Sequence, residues 1–570
     1  RGFESHPLRC LKYLNRFSFL FRIEYLQNMN KLEKDKTKNL YKPKDREGGF
    51  PTAMPYWKRR VFEILPGLFV WLLLLLPVIF ALLRWNVAMV VYMSFLVMYW
   101  LFRTIKFLLG LYIGVKRMEE EKAMDWVGKI EKLNAPKFKE LRYIYLCPVY
   151  AETLDVLEPS FDAWAASDIG SERIDVVMAM EEGKQELQLK NLKKLKEKYG
   201  DKFGSIRHYI HPSGIPGEVT GVKGANINWA ARHLMEDFRK EGKDPANYLL
   251  ITCDSDLRPH PKYLSAVTYK YLTVEDPKYT FFASAVHSFN NNIWDVPPII
   301  RTQSNMLTTV VLHLWVFDKS MKIPFTNDRV YTKDTFSSYI VNLQTLEEIE
   351  FWDPEIPNDD TAFYWNSNLR TKGRFKGQEV YVPTYNDAVE NKTFIKSHVS
   401  FYKQQYRWGW GIITFPISLA VMSTDKKNFP NRRKLLMMKM MFDYLWVLTI
   451  VFVLTFGLNI TSWLNPTYQY SVFAFNLPRI LSYVFTLVVL SNIPLVLLRR
   501  KITPVPKDWK WWRKVLDFLE TFLIAVNMLT FAFIPYIQAL TEMMLGRTKF
   551  KRNFYVTEKV RIKNKKKESN

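Results

Sequence analysis

Tyr248-Leu-Leu-Ile-Thr-Cys253-Asp254-Ser255-Asp256-Leu-x-Pro259 is an apolar run that stops on two carboxylates. The run is too short for a buried helix and reads as a buried strand, Tyr248–Cys253. Its acids stand at i and i+2, so both can face one ligand once the chain turns. Carboxylate oxygens suit Mg²⁺ or Mn²⁺, and Mg²⁺ is typically held by one or two carboxylates plus substrate phosphate.

Working outward, similar short runs occur at Tyr143–Val149, Ile174–Met180, Ile206–Ile210 and Tyr279–Val286. Helical patterns lie between them, at Gln185–Lys198 and Ala225–Phe238. Strand and helix in alternation predict an α/β fold with a mostly parallel sheet across 140–400. Ligands of such sheets bind beyond the carboxyl ends of the strands. Cys147-Pro148-Val149-Tyr150, Met180-Glu181-Glu182 and Cys253-Asp254-Ser255-Asp256 each sit at such an end.

The flanks have a different composition. Leu65–Leu83 contains no charge, and Asn86–Phe102 is uncharged with an apolar continuation to Val115. A hydrocarbon core needs about 20 helical residues, so 61–117 reads as a transmembrane hairpin. Lys58, Arg59 and Arg60 precede it, and Lys116 and Arg117 follow, which places both ends in the cytosol by the positive-inside rule. Segment 1–60 is basic and polar, and nothing in it reads as a cleavable signal peptide. After Trp410, Gly411–Met422 is too short to span and reads as interfacial, completing a unit at 401–425. Tyr444–Ile460, Ile480–Leu498 and Thr521–Thr541 then fill 435–545. If all three cross, the basic tail 546–570 falls outside, against the charge rule. The last segment is therefore expected to be re-entrant or interfacial, or the count of spans is off by one.

Composition agrees with a membrane protein that has a polar middle. The 570 residues are 48% hydrophobic with 18 Trp, yet mean hydropathy is −0.15. The net charge of +25 lies largely in the ends and loops, so it argues for a lipid surface and against nucleic acid. Cys10, Cys147 and Cys253 are far apart and have no metal-site spacing, as expected of reduced thiols.

Four further motifs carry chemistry. Gly221-Val-Lys223-Gly224-Ala225-Asn226-x-Asn228 opens a helix, where glycine and free amides favour an anion. Asn358-Asp359-Asp360-Thr361 is a helix start with Asn358 as cap and a carboxylate available as base. Gln404-x-x-Arg407-Trp408 offers a cation for phosphate and a flat ring for a sugar. Phe554-Tyr-Val-Thr557-Glu-Lys559 lies in the basic tail.

In this order the motifs resemble the membrane-bound, processive family-2 glycosyltransferases: cellulose, hyaluronan, chitin and mannan synthases. The resemblance runs from Arg142 to Trp410, with an echo near the C-terminus. It implies a cytosolic GT-A (Rossmann-like) α/β domain inserted between transmembrane helices in the plasma membrane. It also implies polymerisation of a β-linked glycan from a nucleotide-diphosphate sugar, UDP-sugar favoured, by single inverting displacement, with export of the chain. By resemblance, Pro148, Tyr150 and Glu152 hold base and ribose, and Lys223 and Arg407 the diphosphate. Asp254 contacts the nucleotide and Asp256, with Asp254, a Mg²⁺ or Mn²⁺. Asp360, beside Asp359, is the base, and Trp408 with Gln404 binds the acceptor glycan. Thr557 and Lys559 reach the nucleotide from a gating loop. Glu181 and Glu182 stand where the family usually has Asp; a carboxylate there accepts from a uracil or guanine edge. A non-processive glycolipid transferase would share the Asp-x-Asp and base but not the Trp platform. A transporter or scaffold with a decayed domain would not keep every acidic motif.

Overall fold

The structure is a computed structural model that describes residues 45–216, 218, 223–322, 329–331, 335–356 and 358–547. Thr557 and Lys559 lie outside these residues.

Seven strands form the central sheet: β1 (Arg142–Val149), β2 (Ile174–Glu181), β3 (Ser205–His211), β4 (Tyr248–Thr252), β5 (Thr280–Ser284), β6 (Tyr339–Asn342) and β7 (Lys376–Val380). Their order is β7-β5-β6-β4-β1-β2-β3. Six run one way; β6 alone is antiparallel to both neighbours, so the sheet is mixed. Successive residues of β1 face opposite cores. Tyr143, Tyr145 and Cys147 enter one apolar cluster, and Ile144 and Leu146 the other. Such two-sided burial is what makes an apolar run without alternation a sheet strand. A second, three-stranded sheet pairs Arg258–Pro259 and His287–Ser288 with the central Thr384–Tyr385, gathering three loops at one edge.

Two long helices precede the sheet, α1 (Tyr56–Leu82) and α2 (Asn86–Ala123). Within the sheet domain lie α3 (Lys223–Lys240), α4 (Pro298–Phe317), α5 (Asp359–Arg370) and α6 (Phe394–Gly409). The chain then forms α7 (Thr414–Thr424), α8 (Asn431–Leu464), α9 (Val472–Leu490) and α10 (Asn492–Ile502). It closes with α11 (Trp511–Glu520), α12 (Leu523–Leu529) and α13 (Ile534–Met544). Among the described residues, five helical segments are long and apolar enough to cross a membrane: Tyr56–Leu82, Asn86–Ala123, Lys434–Leu464, Ala474–Ile502 and Trp511–Met544.

The short segment after Trp410 is buried from Phe415 to Met422, wedged between α5 and α1. The last apolar segment is broken, with no piece longer than the 11 residues of α13. Its start is tied to the sheet side: Arg499 donates to Asp517 at 2.6 and 2.7 Å, and Arg301 pairs with Glu520 at 3.2 Å. Its end is tied to the start of α1, where Arg60 donates to the Met544 carbonyl at 3.0 Å.

Candidate active site

The carboxyl ends of β1, β2 and β4 open into a cavity of about 280 Å³. Because β6 runs backwards, its entry, not its exit, meets this edge and brings Ser337 in. Helix starts supply Lys223 (α3) and Asp359 and Asp360 (α5). The end of α6 supplies Gln404, Arg407 and Trp408. Pro148, Tyr150, Glu152, Glu181, Asp254 and Asp256, also expected at the site, line this same cavity. Glu182 is apart from it: its carboxylate accepts the Ser213 N–H at the surface, 2.7 Å away.

The charged groups are mutually braced. Lys223 Nζ lies 3.1 Å from Asp254 Oδ1 and donates to the Ser337 carbonyl at 2.9 Å. The Ser337 hydroxyl donates to Asp254 Oδ2 at 3.3 Å, and its N–H donates to Asp360 Oδ2 at 2.9 Å. Ser337 thus ties the carboxylate after β4 to the one that begins α5. Burial works against the Lys223 charge, but Asp254, Asp359 and Asp360 outweigh it and raise its pKa.

Asp359 is buried, and burial followed by repulsion from Asp360 pushes its carboxyl up to about 7, with Lys223 opposing. Gly224 makes its position possible: a side chain there would meet Asp359. Asn358 occupies the cap position as expected, but its side chain makes no cap bond. Its amide donates instead to the Arg407 carbonyl at 3.3 Å, joining the start of α5 to the end of α6.

Asp256 is nearly sealed from solvent. Its carboxylate accepts the Asp387 N–H at 2.9 Å and the Asn386 amide at 3.4 Å, both from the loop after the central strand of the small sheet. His287 lines the same wall; burial lowers its pKa to about 4 against the pull of Asp254 and Asp256, so its ring is neutral. Glu152 acts as a brace, accepting the Tyr150 N–H at 2.6 Å and the Ser255 hydroxyl at 3.1 Å.

Among the described residues, no group of three or more His, Cys, Asp or Glu side chains could hold a metal. Asp254 and Asp256 both line the cavity, and a cation that takes one or two carboxylates and completes its shell with phosphate and water, as Mg²⁺ does, would be held by these two. Such a cation would offset charge on a departing diphosphate.

Sequence reasoning did not find Ser337, Phe336, Asn386 or Asp387, all of which line the cavity. The Tyr385-Asn386-Asp387 turn carried a signal, polar residues directly after a short β-rich run. Ser337 carried none, since two of its three contacts are main-chain and its hydroxyl reaches Asp254 only because the reversed strand behind it brings it there. On the α6 side, Trp408 joins Phe289, Ile293, Val389 and Phe401 in an apolar cluster that reaches Phe531 of the last segment.

No protein-family model matches the chain, and no curated protein matches it. Among solved structures, it is similar to the mannosyltransferase PcManGT from Pyrobaculum calidifontis, in complex with GDP-Man and Mn2+. That likeness has 12% identity, TM-score 0.35, and covers 74% of this chain and 99% of that one. A second is S. aureus TarS 1-349, at 12% identity and TM-score 0.28, covering 58% and 91%. A third is GalNAc-T7 with UDP, GalNAc and Mn2+, at 9% identity and TM-score 0.27, covering 53% and 57%. Likenesses this distant leave the functional reading to the residues themselves.

Proposed function

We propose that the protein is a membrane-embedded glycosyltransferase of GT-A type that transfers sugar from a nucleotide-diphosphate donor to a growing glycan. One observation carries the reading. Lys223, Asp254, Asp256, Asp360, Arg407 and Trp408, drawn from four separate motifs, line one cavity at the carboxyl edge of the sheet. Chance acidic pairs and surface lysines do not converge in this way.

The donor's diphosphate lies against Lys223 and Arg407, whose charge suits phosphate oxygens. An acceptor hydroxyl oxygen attacks the anomeric carbon while the bond from that carbon to the diphosphate oxygen breaks. The diphosphate leaves with the bonding electrons, and Asp360 takes the hydroxyl proton. One displacement inverts the anomeric centre, so an α-linked donor gives a β-linked product. Asp360 is held for this by the Ser337 N–H, with buried Asp359 beside it in the chain. Trp408 offers its face to the acceptor sugar, which favours retention and extension of the chain.

The arrangement of the last segment supports a re-entrant topology. Both of its ends are tied to residues on the sheet side, Arg499 and Arg60. A cytosolic sheet domain with a cytosolic basic tail then satisfies the positive-inside rule.

The test is to incubate the purified, detergent-solubilised protein with a panel of UDP- and GDP-sugars plus Mg²⁺ or Mn²⁺, following nucleotide release and product size. Release with a long product from one donor is expected. Products of one or two sugars would replace polymerisation with glycolipid synthesis. No release with any donor, in the presence of membrane lipid extract and oligosaccharide primers, would overturn the reading.

A further inference from the structure

On the cavity wall two buried acceptors have no hydrogen-bond partner among the described residues. Glu181 closes β2 and is 5% exposed; its Oε1 is enclosed and makes no hydrogen bond. Asn226, 3% exposed in the first turn of α3, donates Nδ2 to the Ala179 carbonyl at 2.9 Å, which leaves its Oδ1 enclosed and unbonded. Both residues line the cavity. Leaving a buried acceptor unsatisfied is costly, so two at one wall call for a ligand that brings N–H or O–H donors.

The other oxygen of Glu181 is already committed. His211, at the end of β3, lies between two carboxylates, with Nδ1 3.1 Å from Glu181 Oε2 and Nε2 2.8 Å from Glu218 Oε2. A carboxylate only accepts, so both ring nitrogens must donate and the ring is an imidazolium. The side chains are enclosed, and the Trp229 ring covers the histidine at 5.8 Å. The contact holds Oε2 and leaves Oε1 as the unbonded oxygen on the cavity wall. Burial alone would lower the His211 pKa; Glu181 and Glu218 raise it to about 9.

We propose that His211 is a selectivity-determining positioning residue, which holds Glu181 so that its free oxygen, beside Asn226 Oδ1, accepts the ring N–H of a keto nucleobase. The assignment rests on the nucleotide-donor reading above. Uracil and guanine carry a ring N–H at this edge. Adenine and cytosine carry a ring lone pair there, which would face an anion across a dry contact. A hydrogen bond to a charged group is worth about 1.5–3 kcal/mol, so discrimination of about ten- to a hundredfold is expected.

The experiment measures the affinities of UDP, GDP, CDP and ADP for the full-length protein in detergent with Mn²⁺, by calorimetry or displacement. UDP or GDP is expected to bind at least about tenfold tighter than CDP and ADP; whichever of the pair is tighter names the base. His211→Ala is expected to cut this ratio below about threefold while diphosphate-dependent binding persists. Glu181→Gln is isosteric and guards against misfolding of the first variant. Its carbonyl should turn to the His211 N–H, its amide should face the cavity, and preference should move toward CDP and ADP. Equal binding of all four by the wild type overturns the selectivity role and leaves the transferase reading standing. An unchanged ratio in either folded variant does the same. A protein that binds none of the four, and releases none from any sugar donor, overturns both.

Discussion

Gly224 and Asp359 touch: a β-carbon on Gly224 would stand 2.5 Å from the β-carbon of Asp359. The start of α3 and the start of α5 therefore meet at a point where only glycine fits. Both helix starts line one cavity. Gly224→Ala is expected to push α5 away from the donor and to destabilise the fold by about 1–3 kcal/mol through overpacking. Nucleotide release and thermal unfolding measure the two effects, and wild-type activity would sink the close-approach argument.

Asp360→Asn keeps shape and removes the proposed base. Its kcat for transfer is expected to fall about 10²–10⁴-fold, with donor affinity and unfolding temperature close to wild type. Unchanged kcat would remove Asp360 from the reaction.

Asp359 gives the folded state a pH dependence of definite sign. Its carboxyl titrates near 7 when folded, against an ordinary value of 3.8. The folded state thus binds the proton more tightly than the unfolded state, and stability from this group rises as pH falls from about 7 toward 4. Above 7 the buried charge persists as a penalty. Asp359→Asn is expected to unfold at a higher temperature than wild type at pH 8, with the gap closing by pH 5. A gap that widens on acidification would refute the sign.

Removal of divalent cations with EDTA is expected to abolish nucleotide release, and Mg²⁺ or Mn²⁺ to restore it. Asp256→Asn should raise the half-saturating Mn²⁺ concentration at least about tenfold, the scale of one lost charged contact. Full activity in EDTA would exclude the cation from the site.

Trp408→Ala separates transfer from extension. A ring contact is worth about 0.5–1.5 kcal/mol, so acceptor KM should rise about two- to tenfold. Product length should shorten more than nucleotide release declines. Full-length product would refute the platform role.

Much of this was legible in the chain. The strands that end on Val149, Glu181 and Thr252 were readable because both faces are buried, which leaves an uninterrupted apolar run closed by polar residues. Two strands were not. Tyr339–Asn342 is only four residues long, below the length at which a pattern separates from a loop. Lys376–Val380 is an edge strand with Lys, Gln and Glu in a five-residue run, so it carries no apolar signature. The cavity residues found in advance act through charge and ring chemistry that their identity declares. Ser337 bonds Lys223 and Asp360 through a main-chain carbonyl and N–H, which every residue has, and Asn226 acts through an atom orphaned only by its bond to Ala179. Neither role can be read from residue type.

The packing of α13 against α6 has a mechanical consequence. Tyr402 donates to Gln538 at 2.8 Å, Tyr406 donates to Glu542, and Gly409 packs on Ala539. The same helix crosses α1 at Gly67. Arg407 and Trp408 are thus mounted on an element whose depth is set by its neighbour in the apolar layer. A thinner or thicker bilayer changes the tilt of such helices at modest energy. Turnover is therefore expected to track acyl-chain length in reconstituted vesicles, making the surrounding lipid a tuning element of the cation proposed to meet the diphosphate.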